Sequence, residues 1–269
     1  MLPSVAEVFR GVANWHIDDD VRTLTLAAGS TVEQRTDALR QTLLALKETG
    51  HFKVLDKWRG ELYSVYGKNK ELIFNVERSA TPLLGVVTYG VHLTAYQRTK
   101  EGELKIWVPR RAYTKQTYGG MLDNAVAGGI AAGESAFESM VRECAEEASL
   151  EEDLVRKTVK AVGAVTYFHV RTEKAGGETR LLQPECEYVY DLELPEDVIP
   201  KPGDDEVEEF YLWTVDEVQE HMRKGEFKPN CSMVMLDFFV RHGILTAENE
   251  KDYVEIAARL HRRLEFPTL

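Results

Sequence analysis

Between Ser135 and Leu150 the sequence commits to a helix that carries three glutamates within five positions, and few folds have a use for such an element. Phe137, Met140, Val141, Cys144 and Ala148 recur at i, i+3, i+4, i+7 and i+11, which makes one apolar stripe for burial. Glu143, Glu146 and Glu147 fall at i, i+3 and i+4 on a different flank. Like charges at these spacings cost a helix roughly a few tenths of a kcal/mol per pair. They also stand near the helix C-terminus, where the macrodipole disfavours anions. A sequence that accepts both penalties needs a compensating cation, and carboxylate oxygens alone suit Mg²⁺ or Mn²⁺ better than zinc. A solvated acidic face is the bland alternative in a chain of net charge −12, and three glutamates by themselves do not decide between the two.

The wider spacing decides. Gly128 is followed after five residues by Glu134, after seven more by Arg142-Glu143, then by Glu146-Glu147 and Ser149-Leu150. This pattern resembles the Nudix box, with one departure: Ser149 stands where a Gly usually precedes the closing apolar residue. Ser can also cap a helix end, so the departure bears on the local turn rather than on the metal site. The similarity extends to Arg59-Gly60-Glu61-Leu62-Tyr63, Thr88-Tyr89-Gly90-Val91-His92-Leu93, Trp107-Val108-Pro109-Arg110-Arg111, Lys115-Gln116-Thr117-Tyr118 and Leu122 to Gly129. These segments look like the thiamine-pyrophosphokinase-associated branch of Nudix hydrolases, with the small N-terminal domain of that branch.

The resemblance implies Mg²⁺-dependent hydrolysis of a phosphoanhydride bond, with thiamine diphosphate and its oxidised analogues as substrates and their monophosphates as products. Glu143, Glu146 and Glu147 would hold the metal, helped by a backbone carbonyl near Gly128. Glu143 or Glu147 would stand closest to the attacking water, with Arg142 beside them. Bound metal would polarise the phosphorus and lower the pKa of that water. A further glutamate from outside the box is common in such enzymes, and Glu185 and Glu206 are the two candidates here.

Phosphate oxygens not covered by metal need donors, and Arg110, Arg111 and Lys115 form a basic cluster just upstream of the box. Trp58, Arg59, Tyr63 and Tyr118 are candidates for contact with the substrate's heterocycle, although aromatic residues in a small domain are more often core. His92, within a strand pattern, reads as a structural histidine. Two other readings stand beside the main one: a nucleoside-diphosphate or nucleotide-sugar pyrophosphatase, which the box alone does not separate, and a non-catalytic Nudix-fold ligand sensor. The second is disfavoured because all three box glutamates are present. The isomerase relatives use a cysteine where this chain has Gly120-Met121-Leu122-Asp123-Asn124-Ala125, which argues against that reaction.

The spacing of apolar and turn residues predicts the architecture. Thr31 to Gly50 reads as a helix opened by a Thr31/Gln34 capping box, with Leu39, Leu43 and Leu46 on one face. Strands are expected at 58–66, 72–76, 86–96, 104–108, 159–171 and 187–192, and C-terminal helices at 215–224, 232–241 and 248–264. The expected fold is α/β: a Nudix-type α/β/α sandwich with a mixed sheet (81–269), preceded by a small N-terminal α/β domain (1–80). The acidic charge argues against a nucleic-acid partner, which needs a basic footprint. No apolar run approaches the ~18 residues of a membrane span. The opening residues carry no secretory pattern, and Cys144, Cys186 and Cys231 form no metal or disulfide spacing. A cytoplasmic protein acting on a small-molecule diphosphate is the expectation.

Overall fold

The structure, a computed structural model, describes residues 1–269. The chain runs through α1 (Pro3–Val8), β1 (Trp15–Asp18), β2 (Thr23–Leu26), α2 (Val32–Glu48), β3 (Leu62–Tyr66), β4 (Leu72–Glu77) and α3 (Thr81–Leu84). It continues with β5 (Thr88–Arg98), β6 (Leu104–Arg111), β7 (Val126–Gly129), α4 (Ala136–Ala148) and α5 (Glu152–Thr158). The last elements are β8 (Lys160–Val170), β9 (Leu182–Glu193), β10 (Val207–Thr214), α6 (Val215–Arg223), α7 (Pro229–Arg241) and α8 (Tyr253–Leu260).

The main sheet has the order β10-β6-β5-β9-β8, and β7 pairs with β5 off that path. β5 and β9 are parallel and the other pairs antiparallel, so the sheet is mixed. β5 shares one edge between two partners: Tyr96–Arg98 pair with β6, whereas Gly90–Leu93 pair with β7. The alternation of a strand then sorts side chains between two helical layers. Val91, Leu93 and Ala95 pack with Met140, Val141, Cys144 and Ala148 of α4. On the opposite face Tyr96, Ile106 and Val108 pack with Cys231, Met235, Phe238 and Phe239 of α7. The result is an α/β/α sandwich, as the sequence predicts.

α4 starts at the Ser135 cap, whose hydroxyl accepts the Glu138 amide, and ends at Ser149 in the left-handed region at φ 51°. The Ser149 and Leu150 amides both return to the Cys144 carbonyl, the latter at 3.1 Å, so the left-handed residue closes the helix end. Ser149 therefore occupies the position where glycine is usual and adopts glycine's conformation. The turn is kept, at the steric cost that a Cβ carries there.

Ahead of the sheet, α1, α2 and the β1–β2 and β3–β4 hairpins enclose their own core of Phe9, Leu39, Leu43, Leu46, Leu55 and Val76. The Thr31/Gln34 capping box opens α2 as expected. Three links fix this unit to the sheet. The Ala132 amide donates to the Leu62 carbonyl at 2.8 Å, and Leu181 completes the N-terminal core. The Glu178 carboxylate accepts the Val54 amide at 3.0 Å. No helix is long and apolar enough to cross a membrane.

Candidate functional site

α4 brings its carboxylates against the short strand β7. Glu147 is buried, and its Oε2 accepts the Ala127 amide at 2.9 Å. A side chain at Gly128 would collide with the Glu143 carboxylate, and one at Gly129 with the Tyr63 hydroxyl, which is why this strand ends in two glycines. The Arg142 guanidinium ties the flank together, reaching Glu134 at 2.9 Å, Glu143 at 3.0 Å and Glu146 at 2.8 Å. Burial, and then the charge of Glu143, push the Glu147 carboxyl well above the usual carboxylate range. Glu143 is pushed up as well, by burial and by Glu146 and Glu206, against the pull of Arg142. Crowded hard oxygens that resist ionising beside one another fit a divalent cation, which would remove the repulsion.

Next to the box lies a cavity of about 330 Å³ on the α7 face of the sheet, walled by both units of the chain. The N-terminal unit contributes Lys57, Arg59, Tyr63 and Arg78; the sheet contributes Thr88, Gly90, His92, Tyr167, His169, Glu185 and Glu187. Gly128 and Gly129 border it, and the Glu143 carboxylate packs against Gly128. Arg78 acts on both sides, lining the cavity while its charge is felt by Glu143.

On the cavity floor the Tyr167 hydroxyl touches two carboxylates, Glu185 and, at 2.8 Å, Glu187. One hydroxyl hydrogen cannot serve both, so one carboxyl brings a proton of its own. Glu187 is the ionised member: burial would raise it, but His92, 3.7 Å away, holds it down. His92 is itself held charged by Glu187 against burial, and its Nδ1 meets Asn124 Oδ1 at 2.8 Å. Burial and the charge of Glu187 push the Glu185 carboxyl up, which makes it the member of the pair that takes a proton more readily, and its other oxygen accepts from Gln183 at 2.6 Å.

The residues singled out from sequence fall in different places. Glu143, Glu146, Glu147, Gly128 and Arg142 stand together at the box. Of the two outer glutamates, Glu206 stands close enough to act on Glu143 and Glu147 and is ion-paired to Lys115, whereas Glu185 belongs to the cavity floor. Tyr118 lines the cavity. Arg110 does not; it is bonded to Tyr211 at 3.1 Å and to the Gly120 carbonyl at 2.8 Å. Arg111 is buried against Asp123 at 2.5 Å, and Trp58 packs on the N-terminal core beneath Lys47. Glu187, Tyr167, Arg78, Arg171 and Lys228 were not singled out. Two glutamates at i and i+2 on one face of a strand, Glu185 and Glu187, were the available signal.

A sandwich that sets a carboxylate-bearing helix against a glycine strand defines a class, and the family comparison agrees. The chain belongs to the Nudix family: the NUDIX domain model matches residues 88–231. Residues 5–88 match a separate domain of unknown function, DUF4743. A Saccharomyces cerevisiae protein described as uncharacterized is 45% identical over 217 residues, covering 79% of this chain and 63% of its own length. Nudix hydrolase 20, chloroplastic, of Arabidopsis thaliana is 37% identical over 233 residues, covering 86% of this chain and 59% of its own. The chain thus spans about three fifths of the length of the curated relatives it matches. A Deinococcus radiodurans crystal structure overlaps 65% of this chain and 98% of its own at 21% identity and a TM-score of 0.46.

Proposed function

We propose that the chain is a Mg²⁺-dependent Nudix hydrolase of organic diphosphates, acting on thiamine diphosphate and preferentially on its oxidised analogues to give the monophosphates. One observation carries the chemistry: Glu143 and Glu147, both pushed up by burial and by neighbouring acids, converge with Glu146 beside Gly128. Bound there, Mg²⁺ would supply charge neutralisation of the diphosphate and a water of lowered pKa; Mn²⁺ fits the same donor set. Glu143, Glu146, Glu147 and the Gly128 carbonyl are the proposed ligands. Arg142 orients the carboxylates, and Glu143 or Glu147 takes the proton of the attacking water. Lys115, near the box through Glu206, is the proposed phosphate donor, and Tyr118 the proposed ring contact. For Arg110, Arg111 and Trp58, whose side chains are engaged elsewhere, we propose structural roles.

The substrate proposal rests on the resemblance and gains support from charge. Lys57, Arg59, Arg78, Arg171 and Lys228 line the cavity against Glu185 and Glu187, and among these cations only Arg78 has an acid partner, Glu61 at 2.9 Å. A cationic thiazolium is disfavoured in such a wall, and a ring neutralised by oxidation is not. The kcat/KM for oxothiamine diphosphate should exceed that for thiamine diphosphate by roughly tenfold or more, about 1.4 kcal/mol in the transition state. A phosphate-release panel of thiamine, oxothiamine and oxythiamine diphosphates beside ADP and ADP-ribose tests this. Equal rates on the three thiamine compounds, or a preference for a nucleotide, would leave the chemistry and remove the substrate. We propose a division of labour near residue 80, with 1–80 walling the cavity and 81–269 carrying the box. A reducing compartment, the cytoplasm in our reading, suits three free buried thiols.

A further inference from the structure

The N-terminus of α7 points at the cavity: Lys228, Pro229, Asn230 and Met233 all line it. This helix is 13 residues long, begins with a proline that has no amide hydrogen, and has no side-chain cap. Asn230 and Cys231 are therefore its first free donors, carrying the positive end of the helix dipole. Lys228, the residue at the cap position, is enclosed by protein except where it meets the cavity, and its ammonium makes no hydrogen bond or ion pair. Burial alone would lower its pKa, but Cys231 and Asp123 hold it up, so the charge is kept. None of these neighbours pairs with it directly. Asp123 is paired with Arg111 at 2.5 Å, Glu187 faces His92 at 3.7 Å, and Glu185 is bonded to the Tyr167 hydroxyl. Arg171 adds a second cation, whose Nε is buried without a partner while its outer nitrogens bind Gln183 and the Ala175 and Gly176 carbonyls. Burial, Arg171 and Lys228 lower His169, which stays neutral and meets the Tyr118 hydroxyl at 3.3 Å. An enclosed, unpaired ammonium beside an uncapped helix start is costly unless an acceptor fills the space between them.

We propose that Lys228 and the N-terminus of α7 form a subsite for an oxygen acceptor on the organic part of the diphosphate, selecting a carbonyl or anionic oxygen over a fixed positive charge. This rests on the diphosphate hydrolase reading above and adds a specificity-determining residue to it. The subsite acts on the part of the ligand that is not hydrolysed, so it changes which diphosphate is taken and leaves the handling of the diphosphate itself alone.

The test uses the full chain with Mg²⁺, as wild type, Lys228→Met and Lys228→Arg, and compares kcat/KM for oxothiamine diphosphate and thiamine diphosphate. In Lys228→Met the oxothiamine compound should lose about tenfold, equal to ~1.4 kcal/mol, while thiamine diphosphate changes by less than about threefold. Lys228→Arg should recover most of the loss, and the affinity for methylenediphosphonate, a diphosphate with no organic part, should stay within about twofold of wild type. A parallel fall on both substrates, no change on either, or weaker methylenediphosphonate binding would overturn the subsite. If wild type releases phosphate from neither compound, the hydrolase reading fails for them, and binding isotherms of the same two compounds decide the subsite. A preference for the oxothiamine compound that Lys228→Met abolishes supports it; no preference, or one left intact, overturns it. Lys228→Gln is read by the same criteria should the Met variant fail to fold.

Discussion

Glu147→Gln is expected to lower kcat by at least ~100-fold, about 2.7 kcal/mol of barrier stabilisation, with the fold as stable as before or slightly more so. The two halves of this expectation come from one geometry. Glu147 is buried beside Glu143, and both carboxyls are pushed up by burial and by nearby acids, so charge there opposes folding in the absence of a cation. An amide removes one of the repelling charges and keeps an oxygen that can accept the Ala127 amide, now accepted at 2.9 Å. It also removes an anionic oxygen from the proposed metal site, where a neutral amide is a much weaker ligand. Steady-state kinetics and thermal unfolding of the same preparation check both halves. Near-normal turnover by a folded Glu147→Gln would take this carboxylate out of the mechanism.

Arg111→Met should cost about 3–5 kcal/mol of stability, since it strips the partner from a buried carboxylate. At the usual entropy of unfolding for a chain of this size, the midpoint falls by roughly 10 °C. Asp123 is 4% exposed and receives Arg111 Nη1 at 2.5 Å and the Cys231 thiol at 2.6 Å. Burial alone would push its carboxyl up, yet Arg111, then Lys228 and Cys231, hold it well below the usual range. The sign of the pH dependence follows. A depressed folded-state pKa contributes stability that is complete above the unfolded value of ~3.9 and is lost as pH falls through the folded value. The gap between wild type and Arg111→Met should therefore shrink as pH falls through the higher Asp123 value that burial gives the variant, and vanish only in strong acid. Arg111→Met/Asp123→Asn, which leaves no orphan charge, should recover part of the loss. Urea unfolding that finds less than ~1 kcal/mol between wild type and the single variant would return Arg111 to the list of substrate contacts.

The elements legible in the sequence are those whose signal is local. The α4 stripe, the Thr31 capping box and the turn at Glu101-Gly102-Glu103 between β5 and β6 each depend on residues a few positions apart. What sequence left unread depends on distant pairing. β10 lies along β6, about a hundred residues earlier in the chain, and reads as no clear alternation by itself. β7 is four residues of a glycine-rich stretch and becomes a strand only because Gly90–Leu93 offer it an edge. The last helix, expected over 248–264, spans only Tyr253–Leu260, because the chain beyond it turns back so that His261 bridges Thr166 of β8.

The site divides in the same way. Glu143, Glu146, Glu147 and Gly128 are readable because one helix and one strand hold them at fixed spacing. Lys228 looks like any lysine before a proline until α7 is packed under the sheet. Arg111 shows the converse error to which basic residues near a box are prone. Its charge suits a phosphate, but Asp123, twelve residues on, stands close enough to claim it.

The central claim is that these carboxylates hold a divalent cation for phosphoanhydride hydrolysis, and orthophosphate release under metal control tests it most directly. Wild-type protein stripped with EDTA and assayed on oxothiamine, oxythiamine and thiamine diphosphates, ADP and ADP-ribose should release no phosphate above the uncatalysed rate. Millimolar Mg²⁺ should restore release on at least one of them, Mn²⁺ should substitute, and Glu147→Gln should remain silent at every metal concentration. Release that is equal with and without metal, or that persists in Glu147→Gln, would contradict the account.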